Sequence, residues 1–435
     1  MKLKNILAGG IALSLLATAA HADVELRITG ATAFRTATLN AIKAKFDLGA
    51  SYTFAHNKAA GAVNSADRAT FRGTFPGVTG VTTVRCSFNG SVEGIRAIAI
   101  GGVDNPPFIT NAALATPGTD PGEAANENAL VSGSTVTQLA KFAFSDALQS
   151  STPISSPTLS PANPAVGVVV FSPLANEGAP AGLTNVTFQQ FKALFSQGSL
   201  PLSVFTGVAT DTKNVYATGR NDGSGTRTIY MAESQLGITT QVNQFVMTST
   251  TSTAINTIQK VPAGGANFGA GVDATSASTL WGQDLDGNGG YFSGSVLRTE
   301  MGKTSASVLV KDADGSTLDS GANVLLVSFL SNPDALAARQ AGAKILGWNG
   351  ATLDSLNTGT TLSAGDLAKV ANGTYSAWSF ENLYYNGSLS TDENTVYAAI
   401  KSGIPTSLTA AGNVPGIPLT SMNVSRPDDG APIAP

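Results

Sequence analysis

The sequence predicts an α/β fold with mixed, mostly parallel sheets flanked by helices. Two observations support this class. Segments with strand periodicity alternate along the chain with segments whose apolar residues recur at helical spacing. The turns between them are polar and rich in glycine, and four of them directly follow a predicted strand. In such folds, ligands bind beyond the carboxyl ends of the strands.

The first two units have the same order of strand, glycine turn and helix. Residues 24–28 alternate between apolar and charged side chains, which predicts a strand, and apolar residues recur at helical spacing over 39–46. Residues 29–34 form the turn between them. A second glycine turn, 89–94, precedes a short helix that we expect to end at Gly101.

The next predicted strand, residues 142–144, runs into Ser145 and Asp146, so Asp146 should lie at its carboxyl end. Residues 166–171 are continuously apolar and predict a buried strand. Residues 187–190 have the pattern of a capping box, which marks the start of a helix.

Further along, residues 307–310 and 324–329 predict strands, and the alanine-rich residues 333–346 predict a helix. Residues 312–315 predict a hairpin turn. Residues 103–133 are rich in Pro, Gly, Ala and Asn without a sustained period, so we expect a long loop or insertion.

The heptad Arg-Asn-Asp-Gly-Ser-Gly-Thr at 220–226 is the most informative turn. It combines an obligate cation, a carboxylate, two hydroxyls and flexible backbone, and it precedes a predicted helix that stops at Gly237. The backbone N–H groups of residues 223–226 would be the unpaired donors of that helix N-terminus, which favours an anion. Arg220 can offer a planar fork to two oxygens. The alternative is an ordinary exposed turn.

Residues 1–22 predict a cleavable secretory signal, with Lys2 and Lys4 before a short apolar run and a small-residue cleavage site. No later stretch approaches about 20 uninterrupted apolar residues, so we expect a soluble exported protein that is not inserted in a membrane. The only cysteine, Cys86, excludes an internal disulfide, lies far from the cleavage site and is expected to be buried.

The charge balance argues against nucleic acid as a partner. Removing the two lysines of the signal leaves 23 basic against 29 acidic residues, so the net charge changes from −4 to −6. Charged residues make up only 12% of the full chain.

The sequence offers little for catalysis or for metal binding. The mature chain has one histidine, His56, which we expect in an exposed loop, and no Gly-x-Ser-x-Gly turn. One histidine and one cysteine do not suggest a zinc site. Residues 284–289 match half of a calcium loop, but Ser295 stands where a bidentate glutamate is needed, so we interpret them as a turn. No catalytic residue, metal or cofactor is predicted.

Six segments resemble, in order, the periplasmic phosphate-binding proteins of ABC importers, which belong to the type II solute-binding superfamily. They are residues 30–34, 90–94, 145–147, 183–198, 220–226 and 375–378. The resemblance implies a two-domain fold with a ligand cleft between the domains and two chain crossings, near 166–171 and 375–385. Residues 23–168 plus 380–435 would form a discontinuous domain I, and residues 169–379 domain II.

The resemblance also implies the residues that would bind inorganic phosphate. They are Ala33, Phe34, Ser91, Asp146, Arg220, Asp222, Ser224, Gly225 and Thr226. Phe34 would give a backbone N–H and Ser91 a hydroxyl and an amide. Asp146 would accept the ligand's proton, Arg220 would supply positive charge, and Asp222 would orient it. The last three residues would be the helix-end donors.

This sequence departs from the family at two places. The family's threonine before the phenylalanine is Ala33 here, which removes one hydroxyl that Thr32 or Arg35 could replace. The interval from Ser91 to Asp146 is also longer than is usual in the family, which the insertion at 103–133 would explain.

A buried carboxylate at position 146 would separate phosphate from sulfate. Phosphate near neutral pH carries a proton that Asp146 can accept in a hydrogen bond, whereas a bare dianion would be repelled at a cost of several kcal/mol. The resemblance implies a monomer in the periplasm or secreted, with an ABC importer permease as partner. The alternatives are arsenate or another oxyanion, a surface or matrix protein that no longer transports, and a phosphatase.

Overall fold

The computed structural model describes residues 23–57, 63–101, 105–114, 135–261, 280–281, 289–291 and 293–435. The signal predicted at 1–22 lies outside this description. So do most of the insertion predicted at 103–133 and residues 284–288 of the turn that resembles half a calcium loop.

Strands and helices alternate along the described chain, as the sequence predicts. The strands are β1 Val24–Gly30, β2 Tyr52–His56, β3 Arg68–Gly73, β4 Thr82–Phe88, β5 Pro107–Ile109, β6 Thr135–Thr137, β7 Phe142–Ser145, β8 Ala165–Ala175, β9 Asn185–Val186, β10 Ser199–Pro201, β11 Asn214–Ala217, β12 Phe245–Thr250, β13 Ile255–Lys260, β14 Leu280–Trp281, β15 Gly290–Tyr291, β16 Val308–Lys311, β17 Thr317–Ala322, β18 Leu325–Ser331, β19 Lys344–Ile345, β20 Gly347–Trp348 and β21 Trp378–Tyr385. The helices are α1 Arg35–Phe46, α2 Ser91–Ile100, α3 Phe188–Gln197, α4 Ser203–Thr206, α5 Gly225–Glu233, α6 Gly294–Met301, α7 Asn332–Gln340, α8 Asp354–Thr358, α9 Ala364–Ala371 and α10 Thr391–Ala410.

One mixed sheet of eleven strands organises the part of the chain that the structure describes. Its order is β10, β11, β18, β8, β21, β7, β1, β4, β3, β2, and β19 also pairs with β8. Parallel pairings join β7, β1 and β4, and likewise β11 and β18, while the other neighbours are antiparallel. We call β2, β3, β4, β1 and β7 the first half of the sheet, and β18, β11 and β10 the second half.

The strands β8 and β21 join the two halves at the middle of the sheet. They pair in antiparallel register, with Trp378 opposite Val170 and Glu381 opposite Gly167. β8 contains the apolar run predicted as a buried strand, and both strands lie where the resemblance implies chain crossings. The division into domains 23–168 plus 380–435 and 169–379 remains a prediction.

Several element predictions are confirmed in detail. Helix α3 begins with the predicted capping box, in which the hydroxyl of Thr187 accepts from the backbone N–H of Gln190 and the side chain of Gln190 accepts from that of Thr187. Residues 312–315 form the turn between β16 and β17, and Gly315 adopts a φ of 85° there. Cys86 is buried, and burial raises the pKa of its thiol.

Two helix ends were predicted too late. Helix α5 ends at Glu233 rather than just before Gly237, because the backbone N–H groups of Leu236 and Gly237 both turn back to the carbonyl of Met231. Helix α7 ends at Gln340 rather than Leu346. There the chain turns at a left-handed glycine, and the following residues pair with β8 as strand β19.

Two other predictions were wrong because tertiary pairing overrode local composition. The predicted loop 103–133 contains β5, which pairs with β6, beyond the predicted loop. His56 is buried in β2 and stacks on Phe54, with ring centroids 6.3 Å apart, rather than lying in an exposed loop.

The C-terminal segment, residues 411–435, contacts both halves. Ile417 and Val168 on β8 exchange backbone hydrogen bonds of 2.8 and 2.9 Å. Arg426 forms a buried ion pair with Glu233 at the end of α5, and its guanidinium lies 4.2 Å from the centroid of the Trp378 ring. Asp429 accepts hydrogen bonds of 2.8 Å from the backbone N–H of Leu148 and from the hydroxyl of Ser379.

We predict that the ion pair between Arg426 and Glu233 couples these two side chains energetically. Arg426→Met leaves a buried carboxylate without its cation and should lower the free energy of unfolding by about 3–5 kcal/mol. The double variant Arg426→Met/Glu233→Met should recover most of that loss, because neither buried charge remains. Urea unfolding of the four proteins measures the coupling, and additive losses would contradict it.

Candidate functional site

The candidate site lies where carboxyl ends of strands from both halves meet. β1 leads to Phe34 at the start of α1, β4 leads to Ser91 at the start of α2, and Asp146 follows β7. From the second half, β11 leads to Arg220 and to helix α5. β7 runs in the same direction as β8, whereas β18 and β11 run against it, and the two halves pair with opposite ends of β8 through β21 and β18. The carboxyl ends of the two halves therefore face each other, which is why turns distant in sequence converge here.

Asp146 lies at the centre of this convergence and is buried. The hydroxyl of Ser91 donates to Oδ1 of Asp146, and the hydroxyl of Thr226 donates to Oδ2 over 3.3 Å. Burial raises the pKa of Asp146 to about 6, although these two hydrogen bonds and the charge of Arg220 lower it. The carboxyl group therefore joins the first half of the sheet to the N-terminus of α5.

The N-terminus of α5 lies directly against Asp146. Ser224 is the N-cap, and its hydroxyl accepts a 3.3 Å hydrogen bond from the backbone N–H of Arg227. A Cβ added at Gly225 would overlap the Asp146 carboxylate and would lie 2.7 Å from Oγ of Ser91. Only a residue without a side chain allows this approach, which places the first N–H groups of the helix beside the carboxyl group.

Gly223 plays a part that the sequence analysis missed. We expected it to offer its N–H group, but its carbonyl oxygen accepts hydrogen bonds from the backbone N–H groups of Val92 (3.1 Å) and Glu93 (3.3 Å) in the first turn of α2. A loop of the second half thus caps a helix of the first half. Gly90, with a φ of 123°, permits the contact because a Cβ there would lie 2.6 Å from that carbonyl oxygen.

Arg220 is buried, and its side chain contacts a backbone carbonyl. Its Nε donates over 2.9 Å to the carbonyl oxygen of Tyr291. Burial lowers the pKa of its guanidinium to about 10, whereas the charges of Asp334 and Asp146 raise it and that of Arg35 lowers it further. Arg220 therefore stays positively charged at neutral pH.

Asp222 is partly exposed. It lines a cavity of about 120 Å³ together with Arg96, Arg227 and apolar side chains of α2 and α5. Its expected role in orienting Arg220 stays a prediction.

Ala33 and Phe34 are buried in the turn after β1. The backbone N–H of Ala31 donates over 2.8 Å to the carbonyl of Phe144, which ties this turn to the end of β7 just before Asp146. Arg35 is also buried, and its Nη1 lies 3.0 Å from Oδ1 of Asp67. The positive charge of Arg35 lowers the pKa of Arg220, so Arg35 is a second cation near the site.

Other charged residues near the site had no local signal in the sequence. Glu381 on β21 and Asp334 at the start of α7 are buried, and Asp429 in the C-terminal segment is partly buried. Each interacts electrostatically with Asp146 or Arg220. They come from parts of the chain that only the sheet order brings together. Within the described residues, no group of three or more His, Cys, Asp or Glu side chains is placed to hold a metal ion.

The comparisons with known proteins give structural similarity without sequence similarity. No protein-family model and no curated protein matches the chain. The fold is similar to an ABC-type phosphate transport receptor from Vibrio cholerae, at 13% identity over 89% of this chain and 98% of that chain, with a TM-score of 0.37. It is also similar to a DING protein, at 11% identity over 91% and 92%, with a TM-score of 0.41.

A third similar structure is a human phosphate-binding apolipoprotein, at 11% identity over 91% of each chain, with a TM-score of 0.37. The names of this protein and of the transport receptor both mention phosphate. These similarities concern the fold, and the assignment of the site rests on its own contacts. Among the helices that the structure describes, none has the length and hydropathy needed to cross a bilayer.

We predict that Gly225 is required for the contact between α5 and Asp146. Gly225→Ala should lower the free energy of unfolding by about 1–3 kcal/mol, because the added methyl group overlaps a buried carboxylate and Ser91. Gly182→Ala is the matched control, since Gly182 is exposed and its added Cβ would lie 3.7 Å from the nearest atom, a methyl carbon of Thr206. Urea unfolding compares the variants, and equal effects would contradict the close contact.

Proposed function

We propose that the chain binds inorganic phosphate, a protonated tetrahedral oxyanion, between the two halves of the sheet and delivers it to an ABC importer. One observation carries this proposal. Asp146 is a buried carboxyl group that meets a helix N-terminus, two hydroxyls and the charge of Arg220 at one point. A site of this kind provides donors for an anion and one acceptor for the anion's proton.

The donors suit an anion because most of them are neutral. The first backbone N–H groups of α5 carry the positive end of a helix dipole, and the hydroxyls of Ser91 and Thr226 can donate without adding charge. Arg220 adds one full positive charge, and Arg35 is a second cation nearby. From the sequence, Arg35 was expected only to replace the hydroxyl that is missing at Ala33. The ligand set we propose is Ala33, Phe34, Ser91, Asp146, Arg220, Asp222, Ser224, Gly225 and Thr226.

The acceptor sets the selectivity. An ionised Asp146 can accept a hydrogen bond from the P–OH group of phosphate, whereas sulfate near neutral pH has no proton to offer. Two anions held together in a buried site without such a bond repel one another. Discrimination of roughly 10⁴–10⁵ is attainable when a site is built around a hydrogen bond that the competing ligand cannot make.

Entry of the ligand requires the halves to separate. The backbone of Gly225 already contacts Asp146, and the carbonyl of Gly223 already caps α2, so an anion between α5 and Asp146 must displace these contacts. We propose that residues 23–168 plus 380–435 and residues 169–379 move as two domains about β8 and β21. The closed, liganded shape would be the one that the importer permease recognises.

The proposed setting is a cleaved, exported monomer in the periplasm. A surface or matrix protein of the same fold would not need phosphate affinity, and a phosphatase would need a nucleophile or a metal. Binding without turnover supports the receptor, so measurement of affinity decides between these classes.

Equilibrium dialysis of the mature chain against phosphate, sulfate and molybdate tests the function. We expect micromolar or tighter affinity for phosphate. Arg220→Met should weaken it by roughly 10–100-fold, because a charged hydrogen-bond partner contributes about 1.5–3 kcal/mol. Arg72→Met is the matched control, since Arg72 lies on β3 and pairs with Asp23 instead. No binding at millimolar phosphate would favour the structural alternative, and phosphate release from esters would favour the enzyme.

Asp146→Asn tests the acceptor. The amide should weaken selectivity against sulfate more than it weakens phosphate binding, because it can donate a hydrogen bond to a dianion. The wild type should bind sulfate at least about tenfold more tightly at pH 5 than at pH 7.5. Lowering the pH through a pKa of about 6 neutralises the carboxyl group of Asp146. The variant should lack this pH dependence. Calorimetry in which both proteins exclude sulfate equally at both pH values would refute the role of Asp146.

A further inference from the structure

Glu381 is a buried carboxyl group that the proposed site does not yet use. It lies on β21 opposite Gly167 of β8. Its exposed fraction is 0%, and neither carboxylate oxygen has a hydrogen-bond partner among the described residues. A carboxyl group in this situation strongly disfavours ionisation, because no donor replaces the water that its charged form would lose.

The strand register places Glu381 beside Asp146. In the ladder between β21 and β7, Leu383 is opposite Phe144 and Asn382 is opposite Ser145. The ladder ends at this last pair: Glu381 precedes Asn382 on β21, and Asp146 follows Ser145 in the bend after β7. The two residues therefore lie at the same end of the ladder, each one position beyond its last pair.

The described neighbours of Glu381 are apolar, hydroxyl-bearing or acidic, and none of those named here carries a positive charge. On β8 it faces Gly167, where the nearest side chains are the ring of Phe34 from α1 and Leu408 of α10. On its own strand, the hydroxyl of Ser379 donates to Asp429 of the C-terminal segment, and the hydroxyl of Tyr384 accepts a 3.1 Å hydrogen bond from the backbone N–H of Gln149. The pKa of Glu381 is raised well above its ordinary value, first by burial and then by the charge of Asp146.

Two buried carboxyl groups that act on one another electrostatically share one negative charge, since ionising both would bring like charges together in a dry site. The partners decide where the charge resides. Asp146 has the hydroxyls of Ser91 and Thr226 and the charge of Arg220 to stabilise its ionised form, whereas Glu381 has none of these. The charge belongs on Asp146 and the proton on Glu381.

We propose that Glu381 is a specificity-determining residue that acts through Asp146, as a neutral carboxyl group that confines the negative charge of the pair to Asp146. The site then presents a single acceptor and a single charge to the ligand, which suits an oxyanion that carries a proton. The inference rests on the proposed function for its effect on the ligand, but the protonation of Glu381 can be tested without any ligand.

The first experiment measures unfolding by urea in phosphate-free buffer between pH 5.5 and 7.5 for the wild type and Glu381→Gln. A carboxyl group whose folded pKa is raised binds a proton in the folded state that it loses on unfolding, so it contributes stability that falls as pH rises. The folding equilibrium constant of the wild type should fall by up to about tenfold per pH unit relative to Glu381→Gln. Glu381→Met should give the same relative slope.

The control is Glu393→Gln, because Glu393 pairs with Lys141 and its pKa is lowered. Glu393 is ionised in this pH range in both the folded and the unfolded protein. The folding equilibrium constant of the wild type relative to Glu393→Gln should therefore not change with pH. A flat slope for Glu381→Gln as well would show that Glu381 is ionised in the folded protein and would overturn the proposal.

The second experiment measures phosphate affinity by equilibrium dialysis for the same proteins from pH 6 to 9. At each pH, the dissociation constant of the variant is divided by that of the wild type, and this ratio cancels the titration of phosphate itself. Glu381→Gln, which mimics the protonated acid, should bind phosphate within about threefold of the wild type or more tightly at every pH. A loss above tenfold would mean that the ionised carboxylate is needed, and would also overturn the proposal.

The two experiments separate the possible failures. If the wild type binds no phosphate, the proposed function fails and the unfolding slopes alone decide the protonation of Glu381. If phosphate binds but the slopes are flat, the proposed function stands and the role of Glu381 fails.

Discussion

The burial of Asp146 between two halves of one sheet is the constraint on which the rest of the site depends. A carboxyl group removed from water must find donors, and those available come from both sides: Ser91 at the start of α2, and Thr226 and the N-terminus of α5. The helices approach so closely that Gly90 and Gly225 cannot carry side chains. The positions of α2, α5 and β7 follow from satisfying this one group.

The charges around Asp146 are held in buried pairs or on backbone groups instead of in exposed salt bridges. Arg220 donates to a carbonyl, Arg426 pairs with Glu233 below the surface, and Asp429 accepts from a backbone N–H and a hydroxyl. This agrees with a chain in which only 12% of residues are charged. A ligand site made largely of helix ends and hydroxyls needs few ions, and the C-terminal segment then fixes the end of α5 to the strand that carries Glu381.

Much of the fold and the core of the site could be predicted from sequence because they depend on local patterns. Alternation and helical spacing identified β1, α1, α2, β7 and β8, and the cap at Thr187 was visible in four residues. The heptad 220–226 predicted a helix N-terminus for an anion, and α5 begins inside it. Predictions failed where a distant strand competed with local preference, as at the end of α7, in β5 and at His56.

The sequence by itself determined the α/β class, the order of elements and the presence of Ser91, Asp146, Arg220 and Thr226 at the ends of strands or starts of helices. Tertiary structure decided which groups meet. The carbonyl of Gly223 caps α2, the carbonyl of Tyr291 accepts from Arg220, and Glu381 lies next to the last pair of the ladder that leads to Asp146. These contacts depend on the register between strands far apart in the chain, and periodicity along one segment carries no information about register with another.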